Sequence, residues 1–313
     1  ADAVLVKTGS YTGNGTDGNA ITGVGFQPNL VIVGKKTSGG VGGDEVITRS
    51  SSMGTNESIQ SDGSVVTDGV KSLDADGFTL GTNARANTNA VVYLYMAFRD
   101  DDTDFAVGTY NGDGNTTQAI TGVGCTPVFG MVWDAATITN QTPIIKFNGD
   151  ATNESHYSGG GATITTGIRT FDSNGFTVGN DADINTNLDK YYYAMWCAST
   201  GVDEGNYTGN GTDSRNISTD FTPEAVFVQG RDATTQRNIW YPDTRTTDES
   251  RAWSAFSAGA NMIQAIGTNN FQVGTDNQTN ENLKLYVFAA LKDGVAVVAA
   301  AAASINAGII WLE

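Results

Sequence analysis

Three glutamates occupy matching places along the chain, in Thr55-Asn56-Glu57-Ser58, Thr152-Asn153-Glu154-Ser155 and Thr247-Asp248-Glu249-Ser250. A carboxylate that recurs at regular spacing is a natural candidate for acid–base work. Glycosidic chemistry needs a second carboxyl group across a cleft, at roughly 5 to 9.5 Å, and no second acid recurs at a fixed offset from these three. Glu57, Glu154 and Glu249 are therefore read as structural carboxylates that accept backbone N–H bonds in a loop shared by every copy.

Other motifs with chemical potential have plainer readings. Gly13-Asn14-Gly15-Thr16-Asp17-Gly18 has the spacing of a dinucleotide loop, but that loop works only where a strand turns into a helix. The residues that follow, Asn19 to Gly25, will not hold a helix, and later copies carry Thr117 and Ser214 in place of the last glycine. Asp74-Ala75-Asp76-Gly77 and Asp172-Ser173-Asn174-Gly175 could offer oxygen ligands to calcium, yet the third copy, Gly267-Thr268-Asn269-Asn270, has no carboxylate. A tight turn is expected at each, with no cofactor and only adventitious Ca²⁺ among 34 acidic residues. His156 has no counterpart in the other copies, which excludes a repeated triad or an HExxH zinc pair. Cys125 and Cys197 are read as two reduced thiols, because the other copies place Phe26 and Arg99, or Phe221 and Lys292, there and fold without a bridge.

The third copy alone carries Arg231, Arg237, Arg245 and Arg251 around Trp240, Tyr241 and Trp253. Exposed, such rings and guanidinium groups would stack on sugars or dock a partner; buried, they are core. Core with a polar rim is the favoured reading, and Trp240, Tyr241, Trp253, Arg237 and Arg245 are the candidate ligand or partner contacts.

These residues sit on a threefold internal repeat. The landmarks Tyr11, Tyr110 and Tyr207, each within a Gly-x-Tyr-x-Gly-x-Gly segment, lead in order to Pro28, Pro127 and Pro223, then to the glutamates. The order continues with Gly77-Phe78, Gly175-Phe176 and Asn270-Phe271, the Asn-x-Asn pairs beginning at Asn87, Asn185 and Asn280, and closing aromatic strands around Tyr95, Tyr193 and Phe288. β-Branched runs after each proline read as buried strands, and the Gly/Asn/Asp/Ser clusters between runs read as turns. The expected fold class is all-β: three tandem, self-sufficient β-sandwich domains of jelly-roll or concanavalin-like type at 1–101, 102–201 and 202–293. A C-terminal assembly tail follows at 294–313, its Val295, Val298, Ile305, Ile309, Ile310 and Trp311 offering apolar contacts.

Composition narrows the partners. A formal charge of −17 over 313 residues opposes binding to a phosphate backbone, so no nucleic acid is expected. The uncharged stretch Val295–Leu312 is broken by Ser304, Asn306 and Gly308 and is rich in weakly hydrophobic alanine, so no membrane span is expected either.

Tyr11-Thr12-Gly13-Asn14-Gly15-Thr16-Asp17, the run from Ile21 through Gly25-Phe26-Gln27-Pro28-Asn29-Leu30 to Val31, Asp74-x-Asp76-Gly77-Phe78-Thr79-Leu80-Gly81 and the terminal aromatic strand together resemble a module of tailed-bacteriophage virion proteins. In the third copy Asn238-Ile239-Trp240-Tyr241-Pro242-Asp243, ahead of Arg245 and Glu249, is similar to that family's aromatic-Asp segment; the first two copies depart from it. The resemblance implies a lectin-like or jelly-roll sandwich on a phage particle, as tail, fibre or head-surface material, and transfers no catalytic residue. The expectation is a non-enzymatic virion protein whose partners are other virion proteins and copies of itself. The alternative is a carbohydrate-binding adhesin that contacts host-surface glycan.

Overall fold

The computed structural model describes residues 5–36, 46–101, 103–135, 143–231, 236–245, 248–253 and 259–292. The first repeat holds β1 (Leu5–Thr12), β2 (Asn19–Thr22), β3 (Leu30–Lys35), β4 (Ile47–Ser50), β5 (Glu57–Gln60), β6 (Val65–Thr67), β7 (Val70–Asp74), β8 (Gly77–Leu80), α1 (Ala84–Asn87) and β9 (Val92–Arg99). The second holds β10 (Phe105–Asn111), β11 (Gln118–Thr121), β12 (Pro127–Asp134), β13 (Ile144–Phe147), β14 (His156–Tyr157), β15 (Ile168–Asp172), β16 (Gly175–Val178), α2 (Ala182–Asn185) and β17 (Lys190–Cys197). The third holds β18 (Val202–Thr208), β19 (Arg215–Ser218), β20 (Ala225–Gly230), β21 (Ile239–Pro242), β22 (Arg251–Ala252), β23 (Ile263–Gly267), β24 (Asn270–Val273), α3 (Asn277–Asn280) and β25 (Leu285–Leu291).

The fold is all-β and built of antiparallel sheets in sandwich-like pairs. Each repeat pairs a large sheet, ordered β1-β9-β3-β4-β5-β6, β10-β17-β12-β13-β14 or β18-β25-β20-β21-β22, with a three-stranded sheet, β2-β8-β7, β11-β16-β15 or β19-β24-β23. The helices are single turns, capped by Asn83, Asp181 and Asp276, whose side chains accept from the backbone N–H two residues on.

An antiparallel sheet with one wet face should alternate apolar and polar residues. Here β3, β12 and β20 are buried at every position. The reason is that the large sheets have two covered faces. Val31 and Val33 of β3, with Tyr93, Tyr95 and Ala97 of β9, pack toward the small sheet of their own repeat. Their neighbours Leu30, Ile32, Leu94, Met96 and Phe98 point the other way, into a cluster to which all three repeats contribute. In the second repeat Phe129, Met131, Trp133, Tyr192, Ala194 and Trp196 enter that cluster, and in the third Ala225, Phe227, Val287, Ala289 and Leu291. Aromatic contacts run through it from repeat to repeat: Phe98 to Trp196 at 5.2 Å, Phe129 to Phe227 at 5.1 Å and Trp133 to Trp253 at 6.5 Å between ring centroids. The expectation of self-sufficient units is therefore corrected. Each repeat covers one face of its large sheet alone, and the other face is covered by the other two repeats.

Contacts between repeats follow a cycle. Tyr192 of the second donates to Glu57 Oε1 of the first at 3.1 Å, and Arg231 of the third donates through Nε and Nη2 to Glu154 Oε2 of the second at 3.0 and 2.8 Å. Arg245 of the third closes the ring by donating from Nη2 to the Lys36 carbonyl of the first at 2.7 Å. A second set repeats the cycle. Asn148 Nδ2 donates to Glu204 Oε1, 2.8 Å away in the next repeat, and Asp243, at the position matching Asn148, accepts from Thr8, at the position matching Glu204. Equivalent residues meeting equivalent residues in cyclic order make the chain a pseudo-threefold ring around one apolar centre.

Candidate functional site

The most repeated motif is a strand-end clamp. Tyr11, Tyr110 and Tyr207 donate to the carbonyls of Ala86, Ile184 and Thr279 in the helical turns, at 2.6 to 2.7 Å. Each ring stacks on the first aromatic of the closing strand, Tyr93, Tyr191 or Tyr286, with centroids 5.2 to 5.3 Å apart. Burial pushes the Tyr11, Tyr110 and Tyr207 hydroxyls well above the ordinary tyrosine range. Below them Asn87, Asn185 and Asn280 are fully or nearly fully buried. Their amides donate to Gly81 and Thr16, Gly179 and Asn115, and Gly274 and Thr212, while their Oδ1 atoms accept from the N–H of Asn14, Asp113 and Asn210. Gly112 is required here, since a Cβ on it would lie 2.1 Å from the Thr186 carbonyl oxygen. The first asparagine of each Asn-x-Asn pair thus braces the Gly-Asn-Gly loop, Gly-Asp-Gly in the second repeat, a role that repetition flagged and spacing alone could not assign.

The repeated glutamates lie at the other end of the strands. Glu57 Oε2 accepts from the Gly54 N–H at 3.1 Å, and Glu154 Oε2 accepts from the Ala151 N–H at 3.2 Å. Each loop is also held from beneath by a buried cation. Arg49 Nη1 donates to the carbonyls of Gly54 and Glu57, and Lys146 Nζ to those of Ala151, at 3.3 Å, and Glu154, at 2.6 Å. Burial lowers the pKa of both cations. In the third repeat Tyr241 takes the matching strand position, and the cation is supplied by Arg245, 3.5 Å from Glu249. Burial first, then Arg251, brings Arg245 down to about 10, against the pull of Glu249.

The candidate contacts of the third repeat are interior. Trp240 and Trp253 are 0 % exposed and Tyr241 1 %, so the rings are core, as the favoured reading had it, and as candidate ligand or partner contacts they present no surface. They are buried because β21 and β22 sit against the first and second repeats; a Cβ on Gly34 would lie 2.8 Å from Trp240 Cζ2. Arg245 is buried with them, and Arg237 is half-buried, its N–H bonded to Gln278. The tail contacts Val295, Val298, Ile305, Ile309, Ile310 and Trp311 lie outside the described residues.

Cys125 and Cys197 form a disulfide, which overturns the reading of two reduced thiols. Register explains it: Pro127 lies opposite Cys197, placing Cys125 within reach, with Cα atoms 5.9 Å apart. The matching pair of the third repeat is also in contact, with Lys292 Nζ 5.6 Å from the centre of the Phe221 ring. Substitution in the third repeat therefore reported a different contact, not an absent one.

Asp76 accepts from the Gly23 and Gly25 N–H groups, and Asn174 takes the same part toward Gly124, so the candidate calcium turns bind backbone amides. His156 Nε2 lies 2.8 Å from Asp150 Oδ1 in the interior of the second repeat, and Asp150 Oδ2 accepts from Phe147. Among the described residues no group of three or more His, Cys, Asp or Glu is placed to hold a metal ion, and no helix is long and apolar enough to cross a membrane. Open depressions of about 560 and 420 Å³ flank Pro28 and Pro223 at matching places, but Arg49 and Lys71 line the first, and Tyr241, Arg245 and Gln264 the second.

Residues 3–104, the first repeat, match a domain family described as a domain of unknown function, DUF7483. A search of the curated proteins finds no match.

Proposed function

We propose that this chain is a non-enzymatic structural component of a bacteriophage particle, a tail, fibre or head-surface element that acts through contact with other virion proteins and with copies of itself. One observation carries the reading. The polar residues that recur in all three repeats are engaged in bracing loops or in joining one repeat to the next, and repetition has produced a closed ring. Duplication kept for chemistry would instead place the recurring groups around a shared cleft. The tail from 294 onward supplies assembly contacts in this reading. The glycan-binding alternative is left without its aromatic platform, since Trp240 and Trp253 are inside.

The test is location. Antibodies against the chain should decorate intact particles from a lysate of the phage that encodes it, seen by electron microscopy. Unlabelled particles, with the chain left in the soluble fraction, would contradict the proposal.

A further inference from the structure

Asn-Gly pairs begin at Asn14, Asn111, Asn148, Asn174 and Asn210. In such a pair the glycine nitrogen, with no following side chain to shield it, can attack the asparagine Cγ. The attack needs a nitrogen that holds no hydrogen bond and a carboxamide oxygen that is free to swing; otherwise the segment must first open locally. Four of these pairs lack one or the other. Gly112 and Gly211 donate to the Asp189 and Asn280 carbonyls at 2.8 and 2.9 Å. Asn14 Oδ1 accepts from the Thr16 N–H and hydroxyl at 2.9 and 2.8 Å, and Asn174 Oδ1 accepts from the Gly124 N–H at 2.8 Å. Asn148 is exposed, and among the described residues no group donates to its Oδ1 or accepts from the Gly149 N–H.

Local structure accounts for the free nitrogen. The Asp150 N–H donates to the Phe147 carbonyl at 3.1 Å, which makes Asn148 and Gly149 the central residues of a β-turn, where the N–H of the third residue has no partner. The joint with the third repeat accounts for the pair itself. A Cβ on Gly149 would lie 3.1 Å from Val287 Cγ1 and 3.4 Å from the Gly205 carbonyl oxygen, so a side chain there would crowd the contact. Asn148 Nδ2 supplies the donor to Glu204 Oε1 at 2.8 Å. The matching places in the other repeats are Ser51-Ser52 and Asp243-Thr244, so of the three joints only this one carries the pair.

We propose that Asn148-Gly149 is a site of spontaneous deamidation that loosens the ring between its second and third repeats. The Gly149 nitrogen bonds to Asn148 Cγ and gives up its proton, the Cγ–Nδ2 bond breaks, and the departing NH2 takes a proton and leaves as ammonia. Water then opens the succinimide at either carbonyl, which yields aspartate or isoaspartate. Both products replace an amide that donates to Glu204 with a carboxylate that has nothing to donate, and set like charges where the hydrogen bond had been. Isoaspartate also adds a methylene to the backbone of the turn. The Arg231 bonds to Glu154 are then what still ties the two repeats by charge.

The full chain, aged in warm, mildly alkaline buffer and digested with trypsin, tests the chemistry. Fragmentation of the tryptic peptide 147–169 in the mass spectrometer locates the exchange of NH2 for OH. Asn148 should convert at least about tenfold faster than Asn14, Asn111, Asn174 and Asn210, which wait on local opening. Unaged variants test the consequence. Asn148→Asp should lower the melting temperature at neutral pH, and combining it with Glu204→Gln, whose amide can donate to the new carboxylate, should restore it. Conversion at Asn148 no faster than at the other four overturns the site. Asn148→Asp melting with the parent, or remaining low when combined with Glu204→Gln, overturns the loosening of the joint.

Discussion

Phe227→Ala probes the junction of the three repeats. The ring is fully buried in the common cluster, 5.1 Å from Phe129, 6.2 Å from Trp196 and 6.4 Å from Trp253. Removing it takes away its burial and leaves a cavity between two repeats, a loss of about 3–5 kcal/mol. That is a large part of the roughly 5–15 kcal/mol of a folded domain. Because the cavity opens toward the second repeat, Phe129→Ala should couple to Phe227→Ala by about 1 kcal/mol, the worth of an aromatic pair beyond its area. Phe271→Ala is the matched control. It packs in the third repeat's own core, 5.2 Å from Phe288, and should add to Phe129→Ala without coupling. Denaturant unfolding of the three single and two double variants gives both numbers. Hydrogen exchange then shows where the loss is felt: Phe227→Ala should speed exchange in β9 of the first repeat as well as in β25. Additivity of Phe227→Ala with Phe129→Ala, with faster exchange confined to residues 202–292, would refute the shared core.

Opening the Cys125–Cys197 bridge, by Cys125→Ser with Cys197→Ser, releases a loop with a sequence separation of 72 and should cost about 4 kcal/mol, seen as a lower denaturation midpoint and as a thiol-sensitive melting temperature in the parent. Asp183 supplies a pH signature. Burial first, then Asp181 and Asp134, raises its carboxyl to about 6. The folded state therefore holds a proton that the unfolded chain has released between about pH 4 and 6, so stability falls as pH rises through that window. The side chain is half-buried and screened by solvent, which limits the loss to about 1 kcal/mol. Asp183→Asn should flatten this slope, and an unchanged pH profile would remove Asp183 as its source.

Much of the fold was legible because turn chemistry and apolar runs agreed in three copies. The prolines before β3 and β20, the Gly-Phe strands and the closing aromatic strands are where the pattern put them. The shared core was half-legible. Leu30-Val31-Ile32-Val33 and Phe129 to Trp133 are apolar on both faces, which in an antiparallel sheet means a second covering layer, but nothing local names the layer as the other repeats. Glu57 and Glu154 were legible as loop carboxylates from repetition without a partner acid. Their links to Tyr192 and Arg231 were not, since those partners lie in other repeats and differ in type. Trp240 and Trp253 were ambiguous for the same reason, because rings that fill an interface between repeats have the composition of rings that fill a binding site.

Calorimetry of the intact chain tests the central claim most directly. A ring around one core should melt in a single transition whose calorimetric enthalpy equals its van't Hoff enthalpy. A calorimetric enthalpy about three times the van't Hoff value, or resolved transitions assignable to separate repeats, would show three independent sandwiches and contradict it.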